Sequence, residues 1–146
     1  MNSRRVLSMT VLFTAITIPA CMSSPEPFHE GPDLIPVKRT TLAGPEGFCD
    51  LIPGASISRL HVSVRNGGQS SAPASITTIE FMPGGSLEIP TPPIAADAVI
   101  ELPPVTIPAA CFDPDCDFRI LVDSRSDVNE ASGEADNAAD GRCLRQ

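Results

Sequence analysis

The residues most suited to chemistry lie in Asp113-Pro114-Asp115-Cys116-Asp117, where carboxylates at alternate positions can converge on a hard cation such as calcium. An EF-hand loop is excluded, because Phe118 stands where that loop needs glycine at its sixth position and Ser124 where it needs glutamate at its twelfth. A looser calcium site at Asp113, Asp115 and Asp117, or at Asp123, Asp127 and Glu130, is the ligand-binding reading, and a solvated acidic loop is the plainer one. Asp123, Asp127 and Glu130 suit another task better, accepting hydrogen bonds from backbone amides of a turn. Cys49, Cys111, Cys116 and Cys143 lack the C-x2-C spacing of a zinc site, and their even number fits two disulfides in an oxidising compartment.

Nothing in the chain points to catalysis, and no enzyme and no catalytic residue is expected. The two histidines are His29, in a segment without hydrophobic period, and His61, whose place on the polar side of a strand predicts exposure to water. No serine lies in a G-x-S-x-G setting, and no glycine-rich loop precedes a helix to cradle phosphate. The formal charge is -8 from 10 basic and 18 acidic residues; a leader carrying Arg4 and Arg5 would, once removed, leave 10 - 2 = 8 basic residues and -10. Such a surface repels phosphate, so nucleic acid is not an expected partner.

The remaining cysteine sits at the end of a targeting pattern. Arg4 and Arg5 form a positive start, Val6 to Ile18 is apolar but too short to span a bilayer, and Pro19-Ala20 leads into Cys21. Ile18-Pro19-Ala20-Cys21 resembles the lipobox of bacterial lipoproteins, although proline replaces the usual small residue two places before the cysteine. The resemblance implies a signal peptide over residues 1–20 and lipidation of Cys21, with ordinary cleavage after Ala20 as the alternative. Met22 is not the aspartate that marks inner-membrane retention in many diderm lipoproteins, so outer-membrane residence is expected. Residues 21–32, rich in Ser, Pro and Glu, read as a disordered tether, and residues 33–146 as the folded domain.

The domain reads as all-β. Sixteen prolines and ten glycines leave few helix-forming runs, and neither Trp nor Tyr is present to line a sugar-binding groove. The strongest strand is Ile57 to Arg65, where Leu60, Val62 and Val64 alternate with Arg59, His61, Ser63 and Arg65. Asn66-Gly67-Gly68 follows, and such residues tolerate positive φ in a chain reversal. Further strands are expected at Leu34 to Leu42, where Pro36 demands an edge position, and at Ser75 to Met82, Leu87 to Ile89, Val99 to Leu102 and Val105 to Ile107. Phe118 to Asp123 alternates again, with Phe118, Ile120 and Val122 on one face, whereas Asn137 to Leu144 is a poor strand and Gly44 to Gly54 reads as a loop. About seven short strands between turn signals fit an immunoglobulin-like antiparallel sandwich.

Several of these segments together resemble the CARDB family, bacterial adhesion-related domains with an immunoglobulin-like fold. They are Pro32-Asp33-Leu34, VSVRNGG at Val62 to Gly68, APAS at Ala72 to Ser75, and ILVDSRSDVNE at Ile120 to Glu130 with Glu134, Asp136 and Asn137. The resemblance runs from about Asp33 to Leu144; the Glu130 to Asn137 stretch is about one residue longer than the family's usual run. It implies adhesion by a noncatalytic, membrane-anchored interaction module in the bacterial envelope, facing the periplasm or the surface, with a protein or cell-surface partner the sequence does not name. A calcium- or glycan-binding accessory domain and a structural spacer are the alternatives.

Strand order also bears on the disulfides. If strands alternate in direction through such a sandwich, all four cysteines of the domain gather at one end, and Cys111 and Cys116 flank a turn of four residues. The expected pairs are Cys111 with Cys116 and Cys49 with Cys143; Cys49 with Cys111 or with Cys116 stays open at this stage.

Overall fold

The computed structural model describes residues 31–39, 47–50, 58–130 and 133–144. Residues 1–20, Cys21 and His29, and with them the expected leader, lipidation site and most of the tether, lie outside the described residues.

Ten strands are present among the described residues. In chain order they are β1 (Leu34–Val37), β2 (Cys49–Asp50), β3 (Arg59–Leu60), β4 (Ser63–Asn66), β5 (Ser75–Met82), β6 (Gly85–Thr91), β7 (Val99–Glu101), β8 (Val105–Thr106), β9 (Cys116–Leu121) and β10 (Ala138–Cys143). Two short 3-10 turns, Ala109–Cys111 and Gly133–Ala135, are the helical elements among the described residues.

The strands form three sheets, β10-β9-β5-β6, β1-β4-β7 and β2-β3-β8, every pair antiparallel; the first makes one layer, and the other two, joined end to end, make the second. The strand expected over Ile57 to Arg65 is broken in two at His61-Val62. Backbone bonds from His61 N–H to Phe48 O, 2.7 Å, and from Leu102 N–H to Val62 O, 2.9 Å, carry the layer across that break. The two layers close on one hydrophobic core. Leu34, Leu60, Val62 and Val64 come from one side and Ile79, Phe81, Phe118 and Ile120 from the other, all buried. Phe48 stands edge-on to the Phe118 ring at 5.8 Å between centroids and 82° between planes, a favoured aromatic geometry.

Period two accounts for most of this arrangement. β5 alternates strictly between buried and half-exposed residues until Met82, and in β9 Phe118 and Ile120 point inward while Arg119 points out. β1 lies at an edge, where the proline at its third position costs no ladder bond to a second neighbour. β2 lies inside the stretch read as a loop. β10, read as a poor strand, pairs with β9 along all six residues because its glycine has a structural use: Gly141 lies opposite Phe118, and a Cβ there would come within 2.3 Å of the ring. β6 is longer than expected, taking in Gly85 and Pro90, because β5 offers it seven partners in register and β6 is itself an edge.

Two further sequence expectations are corrected. His61 is 9% exposed rather than open to water. Asn66, Gly67 and Gly68 do not reverse the chain through positive φ; among the described residues the positive-φ glycines are Gly84 and Gly85 in the β5–β6 hairpin. Gly68 serves close approach instead, since a Cβ there would stand 2.1 Å from Gly31 O and 2.8 Å from Asp33 N. The chain is engaged from at least Gly31, whose carbonyl accepts from Gln69 N–H at 3.1 Å.

Candidate functional site

The first acidic triad is not assembled as a cation site. Asp113 is exposed, and the Asp117 carboxylate is held by Arg142, with Nε to Oδ1 at 2.5 Å and Nη2 to Oδ2 at 3.1 Å. That bidentate pair follows from register, since Arg142 on β10 is the cross-strand partner of Asp117 on β9. Hydrogen bonding from the guanidinium, and secondarily its charge, lowers the Asp117 pKa and raises that of Arg142.

The second triad is divided among three roles. Asp123, at φ 48° and buried, accepts from Asp127 N–H at 3.0 Å and Val128 N–H at 2.9 Å, which ties the loop after β9 as the amide-acceptor reading expects. The alternation expected over Phe118 to Asp123, which would set Asp123 with Arg119 and Leu121 on the face opposite Phe118, is corrected at its end, because the strand stops at Leu121 and the left-handed turn carries Asp123 inward. Asp127 is exposed and lines a shallow, open groove of about 470 Å³ with Arg125, Ser75, Ile76, Pro90 and Thr91. Glu130 does not bond a turn amide as expected; it is 1% exposed, and neither carboxyl oxygen meets hydrogen-bond geometry. Among the described residues no group of three or more His, Cys, Asp or Glu side chains is placed to hold a metal ion.

Glu130 is an acid strongly perturbed by its burial. Burial pushes its pKa up from 4.5 to about 7, against the opposing pull of the Leu34 backbone and the Asn137 side chain. The nearby charges of Glu134 and Asp123 push in the same direction as burial. The group sits where the start of β1, the loop after β9 and the approach to β10 meet.

The cysteines form a chain at one end of the domain. Cys49 is bonded to Cys143 across 94 residues, Cys111 to Cys116 across five, and Cys143 lies directly opposite Cys116 in the β9–β10 ladder. The first bridge joins β2 in one layer to β10 in the other; the second clips the loop that enters β9.

Two polar groups carry no local signature in the sequence. His61 Nδ1 lies 3.1 Å from both Arg39 Nη1 and Glu101 Oε1, and Nε2 lies 3.4 Å from Asp50 Oδ2. These residues come from the end of β1, β2 and β7, so the imidazole ties the edges of one layer to its centre; no spacing in the chain announces them as neighbours. Asn66, fully buried, accepts from Asp33 N–H at 3.0 Å and Gly68 N–H at 3.1 Å through Oδ1. Its Nδ2 donates to Ser70 O at 2.8 Å and Ile94 O at 3.1 Å. The Asn-Gly-Gly run marks the position but not this role.

Comparison with known proteins finds no matching family model, no matching curated protein and no matching solved structure. Any functional reading therefore rests on the residues themselves. Among the described residues no helix is long and apolar enough to cross a membrane.

Proposed function

We propose that this chain is a noncatalytic interaction module with a CARDB-like, immunoglobulin-like sandwich, held in a bacterial envelope, the outer membrane of a diderm cell, by lipid on Cys21. The observation that carries the proposal is the use made of the cysteines. Four of the five are consumed in two bridges within the domain, and the fifth stands at the end of Ile18-Pro19-Ala20-Cys21, where a lipobox places its lipidated residue. Stable disulfides belong to an exported protein.

The path of the chain supports the immunoglobulin-like part of the reading. β1 to β4 lie in one layer, β5 and β6 in the other, β7 and β8 return to the first, and β9 and β10 cross again. The outer face of the four-stranded layer presents Glu80, Arg119 and Asp140 in one cross-strand row and Met82, Asp117 and Arg142 in the next. A polar face of this kind suits reversible recognition of another protein better than it suits a buried, permanent interface.

Fractionation of cells producing the wild-type chain and Cys21→Ala tests the anchor. The variant should move to the soluble fraction, and mass spectrometry showing an unmodified Cys21 in the wild type would overturn the proposal. Interaction is tested by photo-crosslinkers at Arg119 and Glu80 in intact cells: a discrete envelope adduct is the expected result, and no adduct from either position leaves a spacer as the better account.

A further inference from the structure

The Asn66-Gly67 pair is the one Asn-Gly step in the sequence, and the proposed function does not use it. Glycine after asparagine is the most permissive context for deamidation, because no side chain shields the following backbone nitrogen. We propose that Asn66 is a modification site gated by folding: it is inert in the native domain, it deamidates when the chain is unfolded, and the product cannot regain the native structure. The inference is independent of the anchoring and adhesion reading.

The chemistry needs only water. The Gly67 nitrogen gives its proton to solvent base and attacks Cγ of Asn66, forming a new C–N bond. The tetrahedral intermediate expels the side-chain nitrogen, which takes up a proton and leaves as ammonia. Water then opens the succinimide at either carbonyl, giving aspartate or isoaspartate at position 66 with no oxidation or reduction.

The native structure blocks each participant. The nucleophile is occupied, because Gly67 N–H donates to Asp33 O at 2.7 Å. The electrophile is held by four hydrogen bonds, two accepted by Oδ1 and two donated by Nδ2, so the amide cannot swing toward Gly67. The backbone on its other side is tied as well, Asn66 N–H donating to Ala98 O at 2.9 Å. Asn66 is wholly buried, which keeps base and water from the reacting atoms. Reaction therefore waits for an opening that separates Asp33 from Gly67 and releases Ser70 and Ile94 together.

The same four bonds make the change one-way for the fold. An aspartate at position 66 would set a carboxylate oxygen against the carbonyls of Ser70 and Ile94, where the amide donated, and bury an unpaired charge. An isoaspartate would add a methylene to the main chain of β4, displacing the pairing of Asn66 with Leu34 and of Arg65 with Ile35 and Val99.

The test compares the intact, disulfide-bonded protein in buffer and in guanidinium chloride at the same mildly alkaline pH. Trypsin releases a fragment beginning at Asn66, and fragmentation spectra locate the conversion. The folded protein should convert at least about 100-fold more slowly than the denatured one, the ratio reporting the opening equilibrium. After the denaturant is removed, converted chains should collect in the protease-sensitive fraction while unconverted chains refold. A rate difference below about tenfold, which would mean that local fraying admits the chemistry, overturns the proposal. So does equal recovery of converted and unconverted chains in the protease-resistant fraction. Gly67→Ala, measured in denaturant only, should slow the conversion and so assign it to position 66; an unchanged rate would place the chemistry elsewhere and refute the site.

Discussion

Glu130 is the residue at which burial and charge conflict most openly. Its carboxyl is raised from 4.5 to about 7 by burial, so the folded state binds a proton more tightly than the unfolded chain does. Stability from this group is therefore complete below about pH 4.5, falls as pH rises toward 7, and is flat above that. The shift corresponds to about 3 kcal/mol across the window. Glu130→Gln should remove that slope, so that urea melts of variant and wild type converge at low pH and separate by about 3 kcal/mol above pH ~7 in the variant's favour. A difference that does not change with pH would contradict the assignment. Phe118 makes a simpler case at the same scale. It is buried at the centre of the core against Phe48 and lies over Gly141, so Phe118→Ala should cost about 3 to 5 kcal/mol in the same assay. A loss below about 1 kcal/mol would mean that the ring is not a core element.

Among the elements, the two disulfides do unequal work. In the loop-entropy account a bridge stabilises by restricting the unfolded chain, so the one spanning 94 residues is worth about 4 to 5 kcal/mol and the one spanning five about 2. The Cys49→Ala, Cys143→Ala pair of substitutions should therefore lower the melting temperature more than the Cys111→Ala, Cys116→Ala pair, as calorimetry under nonreducing conditions would show. The reverse order would place the importance of the short bridge in the native geometry of the β9 entrance rather than in the unfolded chain. β10 explains why a poor sequence becomes a good strand. Its residues have little preference for extended structure, but β9 supplies six partners, Arg142 closes on Asp117, and Cys143 is tied to the other layer.

At the scale of the whole molecule, the two layers have one core between them, and ion pairs lie on the outside of the four-stranded layer. Arg119 with Asp140, Arg125 with Glu88 and Arg142 with Asp117 are exposed pairs on the four-stranded layer or its adjoining loop. Pairs of this kind add little to stability.

The all-β class, the inward faces of β5 and β9 and the edge position of β1 were legible in the sequence because period two, turn residues and a proline act locally, between neighbours in the chain. Other features depended on residues brought together from distant segments. His61 is buried because Arg39, Asp50 and Glu101 converge on it, and Glu130 is perturbed because the fold buries it, with the charges of Glu134 and Asp123 nearby. Asn66 is locked because Asp33 and Ile94 meet its amide. Gly68 and Gly141 are needed for what lies opposite them, a neighbouring backbone and an aromatic ring, rather than for their own dihedral angles. Burial, desolvation and close approach arise only when the layers pair in register, so these roles were decided by the tertiary structure.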